Sequence, residues 1–358
     1  MTWRPARARC LCGGFLGGEV DRPAIEALDL SPLWLADAAE DGPWQEIPAG
    51  LHAFRLVVPF ALGVGDPSNV YLFNRDNQWL MVDAGADHEP SGAVLKRFFS
   101  EHGVTGRNLT VFFTHMHEDH SWLVDCVPEG SVAYVHRHGV ESREPGRQQE
   151  IQEGFREMLE AGGVPHDQAL VYQEDNRERT RLPEGRLCVR PLEGGERLQL
   201  LGMTWQVIFS PGHSPNHLLL LQPETGLLFS GDVVLADRTP SVELTEFGTS
   251  GMGQYLQTLD DLERLRVRMV LPGHGDSASK SQVNEWIARI RSRKLARVEA
   301  VRCTMREHPG LDLSHGAWMR LGCQDEAQWL GKPHFQRYFA LLETAVVMGY
   351  VGETEAGA

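Results

Sequence analysis

Four residues that commonly bind metal ions lie within six positions of the sequence, at His115, His117, Asp119 and His120. They directly follow the apolar run 109–113, which predicts a buried strand. Because a strand that ends in a loop places the next side chains at the edge of a sheet, His115 and His117 can face one metal ion, and Asp119 and His120 can reach a second. Imidazole and carboxylate ligands in this mixture suit zinc, with iron or manganese as alternatives. Packing alone would require a buried partner for each polar group, so metal binding is the favoured interpretation.

Three more residues of ligand type follow predicted strands later in the chain. They are His213 in Ser-Pro-Gly-His-Ser, Asp232 in Phe-Ser-Gly-Asp and His274 in Leu-Pro-Gly-His-Gly. A glycine precedes each of them, and glycine lets the backbone pass close to a site. Each motif alone fits an ordinary turn, but the three together predict ligands that converge on one sheet edge.

The elements that would position these residues alternate between strands and helices. Short β-rich runs predict strands at 54–60, 69–73, 79–82, 109–114, 132–135, 204–209, 217–221, 227–230 and 269–271. Helical patterns occur at 92–101, 148–159, 253–264, 282–307, 313–321 and 335–348. This mixture indicates an α/β layered fold.

The chain divides by pattern into three parts. Residues 1–50 have little periodicity and predict an extension that is draped over the main domain or partly disordered. Residues 51–280 carry the chemistry, and residues 281–358 predict a small helical domain. Within the middle part, 140–180 breaks the strand rhythm and indicates either an inserted lid or a peripheral helix with ordinary packing.

Composition and charge limit the class of function. The formal net charge of −15 disfavours a general nucleic-acid binder, since an acidic surface repels phosphate. The six cysteines are scattered and form no C-x-x-C pair, which is typical of reduced thiols in a cytoplasmic protein. The apolar patch near the start is short and interrupted by glycine, so we expect neither a signal peptide nor a membrane span.

The order of these motifs resembles that of the metallo-β-lactamase superfamily over roughly residues 54 to 280, with Asp83 in Val-Asp-Ala-Gly as a further match. The resemblance implies an αββα sandwich of the α/β class. A helical, winged-helix-like extension at 281–358 would place the chain in the branch of glyoxalase II and the lactamase-beta-2-like proteins.

The resemblance also implies a role for each ligand-type residue. It assigns His115, His117 and His213 to a first metal ion, Asp119, His120 and His274 to a second, and Asp232 to a bridge between them. Asp83 would steady the ligands, and His217 matches no ligand position.

We therefore expect a hydrolase with two zinc ions that acts on an acyl thioester, ester or lactone through a metal-bound hydroxide, with Asp119 as the catalytic residue that handles the proton. The alternatives are an RNA-processing endonuclease, a mononuclear iron enzyme similar to persulfide dioxygenases, and a metal-containing sensor with a vestigial site. The expected partner is a small-molecule acyl substrate rather than nucleic acid or a membrane. The apolar positions of 281–358 require a core, which packing on the main domain or pairing into a homodimer would supply.

Overall fold

The computed structural model describes residues 23–28, 30, 46, 48–59, 67–142, 144–177, 185–243 and 250–356. The N-terminal extension expected at 1–50, including the apolar patch near its start, therefore lies largely outside the described residues. Residue 60 of the first predicted strand and residues 178–180 of the predicted insertion also lie outside them.

In the described part of the chain, the first β-sheet has seven strands that lie side by side in chain order. They are β1 (Ile25–Ala27), β2 (His52–Val58), β3 (Ser68–Arg75), β4 (Gln78–Val82), β5 (Leu109–Phe112), β6 (Val132–His136) and β7 (Cys188–Leu192). Strands β1 to β4 pair antiparallel, and β4 to β7 pair parallel. The parallel strands β4 and β5 are apolar runs because both faces of this part of the sheet are covered.

The second sheet has the order β13-β12-β11-β10-β9-β8 among the described residues. Its strands are β8 (Arg197–Leu200), β9 (Met203–Phe209), β10 (Leu218–Gln222), β11 (Leu227–Gly231), β12 (Met269–Pro272) and β13 (Ala278–Ser279). All its pairs are antiparallel except β11 with β12. The backbone at β1 corrects part of the expectation for 1–50, since residues 25–27 form an edge strand and are not merely draped over the domain.

The described residues also form ten α-helices. They are α1 (Glu89–Glu101), α2 (Glu118–Ser121), α3 (Arg137–Glu141), α4 (Pro145–Ala161), α5 (His166–Arg177), α6 (Met252–Arg264), α7 (Lys280–Glu307), α8 (Leu313–Arg320), α9 (Glu326–Leu330) and α10 (His334–Ala356). A short 3-10 helix, Trp122–Cys126, follows α2.

Three apolar layers hold this arrangement together. The core between the sheets contains Phe73, Trp205 and Phe229, with the Phe73 and Phe229 rings edge to face at a centroid distance of 5.3 Å. A second core joins α1 to the first sheet, and a third joins α6, α7 and α10 to the second sheet. This is the αββα sandwich that the sequence predicted.

The longest helix shows how the sequence sets the third core. A capping box between Ser279 and Gln282 begins α7. Its buried residues Val283, Ile287 and Ile290 lie on one face, since they are three or four positions apart. The C-terminal helices are therefore the outer layer of the sandwich beside the second sheet.

The segment at 140–180 packs on the C-terminal helices. Leu159 of α4 and Tyr172 of α5 share an apolar cluster with Leu313, Trp329 and Leu341 of α8, α9 and α10. These contacts are apolar packing between peripheral helices, and the choice between such packing and an inserted lid stays a prediction. The boundaries proposed at residues 50 and 280 stay predictions.

Two details differ from the sequence analysis. Helix α10 does not end near Met348 but continues through Gly349, because Val346, Val347 and Val351 bury one of its faces and outweigh a cost of about 1 kcal/mol for a glycine within a helix. The C-terminal region is helical as predicted, whereas a winged helix also carries strands, and the described residues 280–356 form none. No helix in the described ranges is both long and apolar enough to cross a membrane.

Candidate metal centre

The centre lies where strands of both sheets end. His115 to His120 follow β5, His213 follows β9, Asp232 follows β11 and His274 follows β12. The structure brings all seven predicted ligands together, and their ligand atoms form three groups whose members lie within 4.8 Å of one another. These groups are His115, His117 and His213; His115, His120 and Asp232; and Asp119, His120 and His274.

The first group consists of three imidazoles. His117 Nδ1 lies 2.9 Å from His115 Nε2 and 3.0 Å from His213 Nε2. The other ring nitrogens are directed elsewhere, since His213 Nδ1 donates to the Ser241 carbonyl at 3.0 Å. Three nitrogens that converge in this way offer one face of a coordination shell.

The second group combines a carboxylate with two imidazoles. His274 Nε2 lies 3.2 Å from Asp119 Oδ2 and 3.3 Å from His120 Nε2. His274 Nδ1 donates to the Pro67 carbonyl at 2.9 Å, so Nε2 is left to face the centre.

Asp232 lies between the two groups. Its Oδ2 is 3.6 Å from His213 Nε2 and 3.2 Å from His274 Nε2, and its Oδ1 is 3.4 Å from His120 Nε2. This position, with one member of the first group and two of the second within reach, suits a bridging ligand.

The residues present fit metal ions better than they fit a purely protein network. Asp232 Oδ1 is buried and accepts no hydrogen bond among the described residues. A buried carboxylate oxygen without a partner is costly unless a cation is bound to it. Gly273 leaves the space beside this atom open, because a Cβ there would lie 2.2 Å from Asp232 Oδ1 and 2.6 Å from His120 Cε1.

Asp83 orients the histidine of the second group. This residue follows β4 with a φ of 59°, and its Oδ2 accepts a hydrogen bond from His120 Nδ1 at 2.9 Å. Its carboxylate also accepts from the Thr114 backbone N–H at 2.7 Å and from Thr114 Oγ1 at 2.8 Å. A carboxylate on the far nitrogen fixes the tautomer and the direction of a metal-binding imidazole.

His217 contacts two residues of the centre, Asp232 and His115. Its ring is buried, its Nδ1 lies 2.7 Å from Ser210 Oγ, and its Nε2 accepts a hydrogen bond from the Asp232 backbone N–H at 3.1 Å. The ring also stacks on His115 at a centroid distance of 4.9 Å. His217 therefore positions Asp232 and His115, as expected for a histidine that matches no ligand position.

Glu243 is a supporting residue that the sequence analysis missed. Its Oε1 lies 2.9 Å from His117 Nε2 and holds that ring with Nδ1 toward the centre. No motif surrounds Glu243, and no sequence signal pairs it with a histidine 126 positions earlier.

Strand β3 holds the loop that carries His274. Asn69 Nδ2 donates to the Pro272 and Gly275 carbonyls at 3.0 and 2.7 Å, and the Tyr71 hydroxyl donates to Pro272 at 2.8 Å. The first sheet therefore positions a ligand that belongs to the second.

Burial favours the neutral form of two members of the first group, whereas at His117 the carboxylates of Glu243 and Asp119 outweigh burial and raise the pKa. Burial lowers the pKa of His115 well below the ordinary value, and together with His117 it lowers the pKa of His213 to about 4. Neutral imidazole is the form that binds a metal ion.

The second group holds negative charge. Burial opposes ionisation of Asp119, but His120 and His274 outweigh it and lower the pKa of Asp119 to about 2. Burial likewise opposes charge on His274, but Asp232 and Asp119 raise its pKa to about 10. The carboxylates of Asp119 and Asp232 thus require positive charge beside them. Protonated histidines provide this charge here, and metal ions would provide it when bound.

Comparison with known families decides the classification. The sequence profile described as "Metallo-beta-lactamase superfamily" matches residues 63–274, which is more than half of the chain and contains all seven converging residues. The chain belongs to the metallo-beta-lactamase superfamily. This confirms the family resemblance and the fold, while the hydrolase activity and the branch with glyoxalase II stay predictions.

Curated relatives in the superfamily include two that align over most of the chain. One is an atrochrysone carboxyl ACP thioesterase of Aspergillus fumigatus, 25% identical over 70% of this chain and 64% of that protein, so the chain matches less than two thirds of that relative. The other is YqjP, a probable metallo-hydrolase of Bacillus subtilis, 26% identical over 72% of this chain and 81% of that protein.

Among solved structures, a metallo-beta-lactamase family protein of Thermus thermophilus aligns with a TM-score of 0.65 at 23% identity. The alignment covers 87% of this chain and 96% of that one. At this identity the match establishes the shared fold.

Proposed function

We propose that this protein is a hydrolase with two metal ions that cleaves an acyl thioester, ester or lactone. The arrangement of ligand atoms supports the proposal. The group of His115, His120 and Asp232 shares one histidine with each of the other two groups, so Asp232 lies between them. In this assignment His115, His117 and His213 hold the first ion, Asp119, His120 and His274 hold the second, and Asp232 bridges. When bound, two zinc ions would lower the pKa of water and polarise the substrate carbonyl, with iron or manganese as alternative metals.

Other residues of the chain orient the ligands and transfer the proton. Asp83 and Glu243 hold the His120 and His117 rings in their ligand orientations. Asp119 has a side chain that is 25% exposed, against 8% for Asp232, so Asp119 faces the solvent side of the centre. From there its carboxylate can accept a proton from the attacking water and deliver it to the leaving group.

Thioesters are the favoured substrates within this proposal. The relatives with long alignments carry the names thioesterase and metallo-hydrolase. A thiolate is a good leaving group that needs little protonation, and this suits a partly exposed carboxylate as the proton donor.

A substrate panel with a chelator control tests the proposal. Purified protein is assayed with acyl-coenzyme A and acyl-pantetheine thioesters, matched oxygen esters, a lactone and a labelled RNA. We expect thioester turnover that is lost with chelator and restored by zinc, and elemental analysis with close to two metal equivalents per chain. Turnover of RNA alone, or a single iron with persulfide oxidation, would contradict the proposal.

The charges on α7 make RNA the less favoured substrate. Arg291 forms ion pairs with Asp260 at 2.6 Å and Glu263 at 2.8 Å. Arg289 donates to the Leu235 carbonyl at 2.7 Å, so its guanidinium also serves the fold. We therefore propose a small-molecule acyl partner without nucleic acid. The cytoplasmic location and the homodimer stay predictions.

A further inference from the structure

A cavity of about 140 Å³ lies beside the segment 239–243, since Thr239 and Val242 line it. Helices α7, α8 and α10 form its walls. Four cationic side chains line it, and we call this cavity the basic pocket: Arg293, Lys294 and Arg297 of α7, and Arg320 of α8. Its opposite wall is apolar and includes Val242 and Val346.

The basic pocket has an excess of positive charge. Glu343 is the acidic residue of its lining, and it pairs with Arg320. Arg297 has a buried Nε without an acceptor among the described residues. Three cations thus remain without a carboxylate of the lining to neutralise them.

Lys294 is the decisive residue. It is 8% exposed, and within the described ranges it forms neither a hydrogen bond nor an ion pair. Its ammonium lies 5.7 Å from the centroid of the Tyr255 ring, a contact that offsets only part of the cost of burying a charge.

We infer that the basic pocket binds a phosphate group. Guanidinium groups match phosphate oxygens in pairs, and an ammonium adds a compact charge, so this lining suits a dianion. The volume suits one group rather than a whole ligand, since pockets for complete small molecules span roughly 300–1,000 Å³. Burial and the neighbouring Arg320 lower the pKa of Lys294 to about 8, which fits a cation that awaits a counter-ion.

The wall of the basic pocket is continuous with the metal centre. Arg293 Nη1 donates to Thr239 Oγ1 at 3.5 Å, and Val242 lines the pocket. In the same segment Ser241 accepts the hydrogen bond from His213, and Glu243 holds His117. A phosphate group in the basic pocket would therefore be bound against the segment that supports two ligands of the first group.

Binding of inorganic phosphate tests the inference without any substrate. The melting temperature of the full chain is measured against phosphate concentration, with sodium chloride at equal ionic strength as the reference. We expect a saturating rise for the wild type. Lys294→Met should melt at a higher temperature than the wild type without phosphate, because a buried charge is removed, yet bind phosphate at least about tenfold more weakly.

Two further variants keep the test decisive. Arg297→Gln should also weaken phosphate binding, and it decides the matter if Lys294→Met does not fold. Arg264→Gln removes an equal charge from a side chain that is 71% exposed on α6, so it should respond to phosphate as the wild type does. A wild type that phosphate does not stabilise beyond chloride, or pocket variants that respond like Arg264→Gln, would overturn the inference.

The source of the phosphate group is settled by a kinetic comparison. Acyl-coenzyme A carries phosphate and acyl-pantetheine does not. If the group belongs to the substrate, Lys294→Met should lower the ratio of their kcat/KM values at least about tenfold. An unchanged ratio together with phosphate binding identifies a free phosphate-type anion. This comparison alone rests on the proposed hydrolysis, so failure of the function and failure of the pocket are distinguishable.

Discussion

Asp119 and Asp232 are both carboxylates of the centre, but their surroundings give them different tasks. Asp232 lies between the two ligand groups and is almost fully buried, whereas Asp119 reaches His274 from the more exposed side. Since a carboxylate that moves protons needs access to water and substrate, position rather than residue type separates the two roles.

We predict that Asp119→Ala and Asp232→Ala both abolish hydrolysis for different reasons. Loss of Asp232 should lower the metal content, because both groups lose a ligand. Loss of Asp119 should leave part of the metal bound while turnover falls by about 10²–10⁴-fold. Metal analysis and kcat on one thioester check this, with Asp237→Ala, an exposed carboxylate, as the control. Near-normal turnover in Asp119→Ala would remove its proton-transfer role.

The Glu243 carboxylate should affect metal binding through the orientation of His117. Removing a carboxylate that orients a metal-binding imidazole commonly costs about 10–100-fold in metal affinity or activity. We therefore expect Glu243→Ala to weaken metal binding within that range, and Glu243→Gln, which keeps an acceptor, to weaken it less. Competition with a chelator measures the affinity, and Glu193→Gln, an exposed acid paired with Arg137, serves as the control. The assignment fails if Glu243→Ala binds metal as tightly as the wild type.

At the scale of elements, the centre depends on loops that leave strands at one edge and approach each other closely. The loop after β12 passes so near Asp232 and His120 that it has room only for glycine at position 273. Asn69 of β3 then holds this loop by a hydrogen bond to Gly275, so residues of both sheets position His274.

Gly273→Ala should damage the centre and spare the fold. The added Cβ would meet Asp232 Oδ1 and displace the bridging carboxylate. We expect metal content and turnover to fall together while circular dichroism stays unchanged. Gly154→Ala in α4 is the matched control, because no atom lies within 4 Å of its Cβ, and it should stabilise by about 1 kcal/mol. Full metal content in Gly273→Ala would show that the loop can move aside.

How far the sequence predicted these elements depended on the strength of each local signal. The mostly apolar runs at 79–82 and 227–230 predicted β4 and β11 well, because strands buried on both faces need such runs. Strands β7 and β8 were missed, since they contain charged residues such as Arg190 and Arg197 and take their place from their neighbours in the sheet.

The same limit applies to the centre and its surroundings. The four clustered ligands were recognisable from spacing alone, because several histidines and a carboxylate after an apolar run have no simple packing explanation. Glu243 was not recognisable, because its contact with His117 joins segments that are distant in the chain. Three cations of the basic pocket lie within five positions of α7, but the walls that face them come from distant segments, and only the fold brings these together.

At the scale of the whole molecule, the C-terminal helices belong to the outer helical layer of the sandwich and are not a separate attachment. Helices α7 and α10 bury the outer face of the second sheet, and α8 to α10 share a further cluster with α4 and α5. Removing these helices would expose apolar surface on both the sheet and the 145–177 helices.

A substitution in α7 should therefore destabilise the entire fold. Ile287 is fully buried against the second sheet, so Ile287→Ala should lower the free energy of unfolding by about 2–5 kcal/mol. Leu295, which lies on the same helix and is 46% exposed, provides the control, since Leu295→Ala should change it by less than about 0.5 kcal/mol. Denaturant titrations followed by fluorescence measure both. An equal, small effect of the two substitutions would mean that α7 folds independently of the sheet.

The hydrogen bond between Asn69 and Gly275 joins residues 206 positions apart. Closing a loop of that length carries an entropy cost, and folds dominated by such distant pairs form slowly. The segment 115–120 carries four ligand-type residues within one short stretch, so during folding it can capture an ion before His213, Asp232 and His274 arrive. The order of events thus matters for this chain: an ion that enters before the sheets have paired meets only part of its final coordination shell, and one that enters afterwards meets all of it.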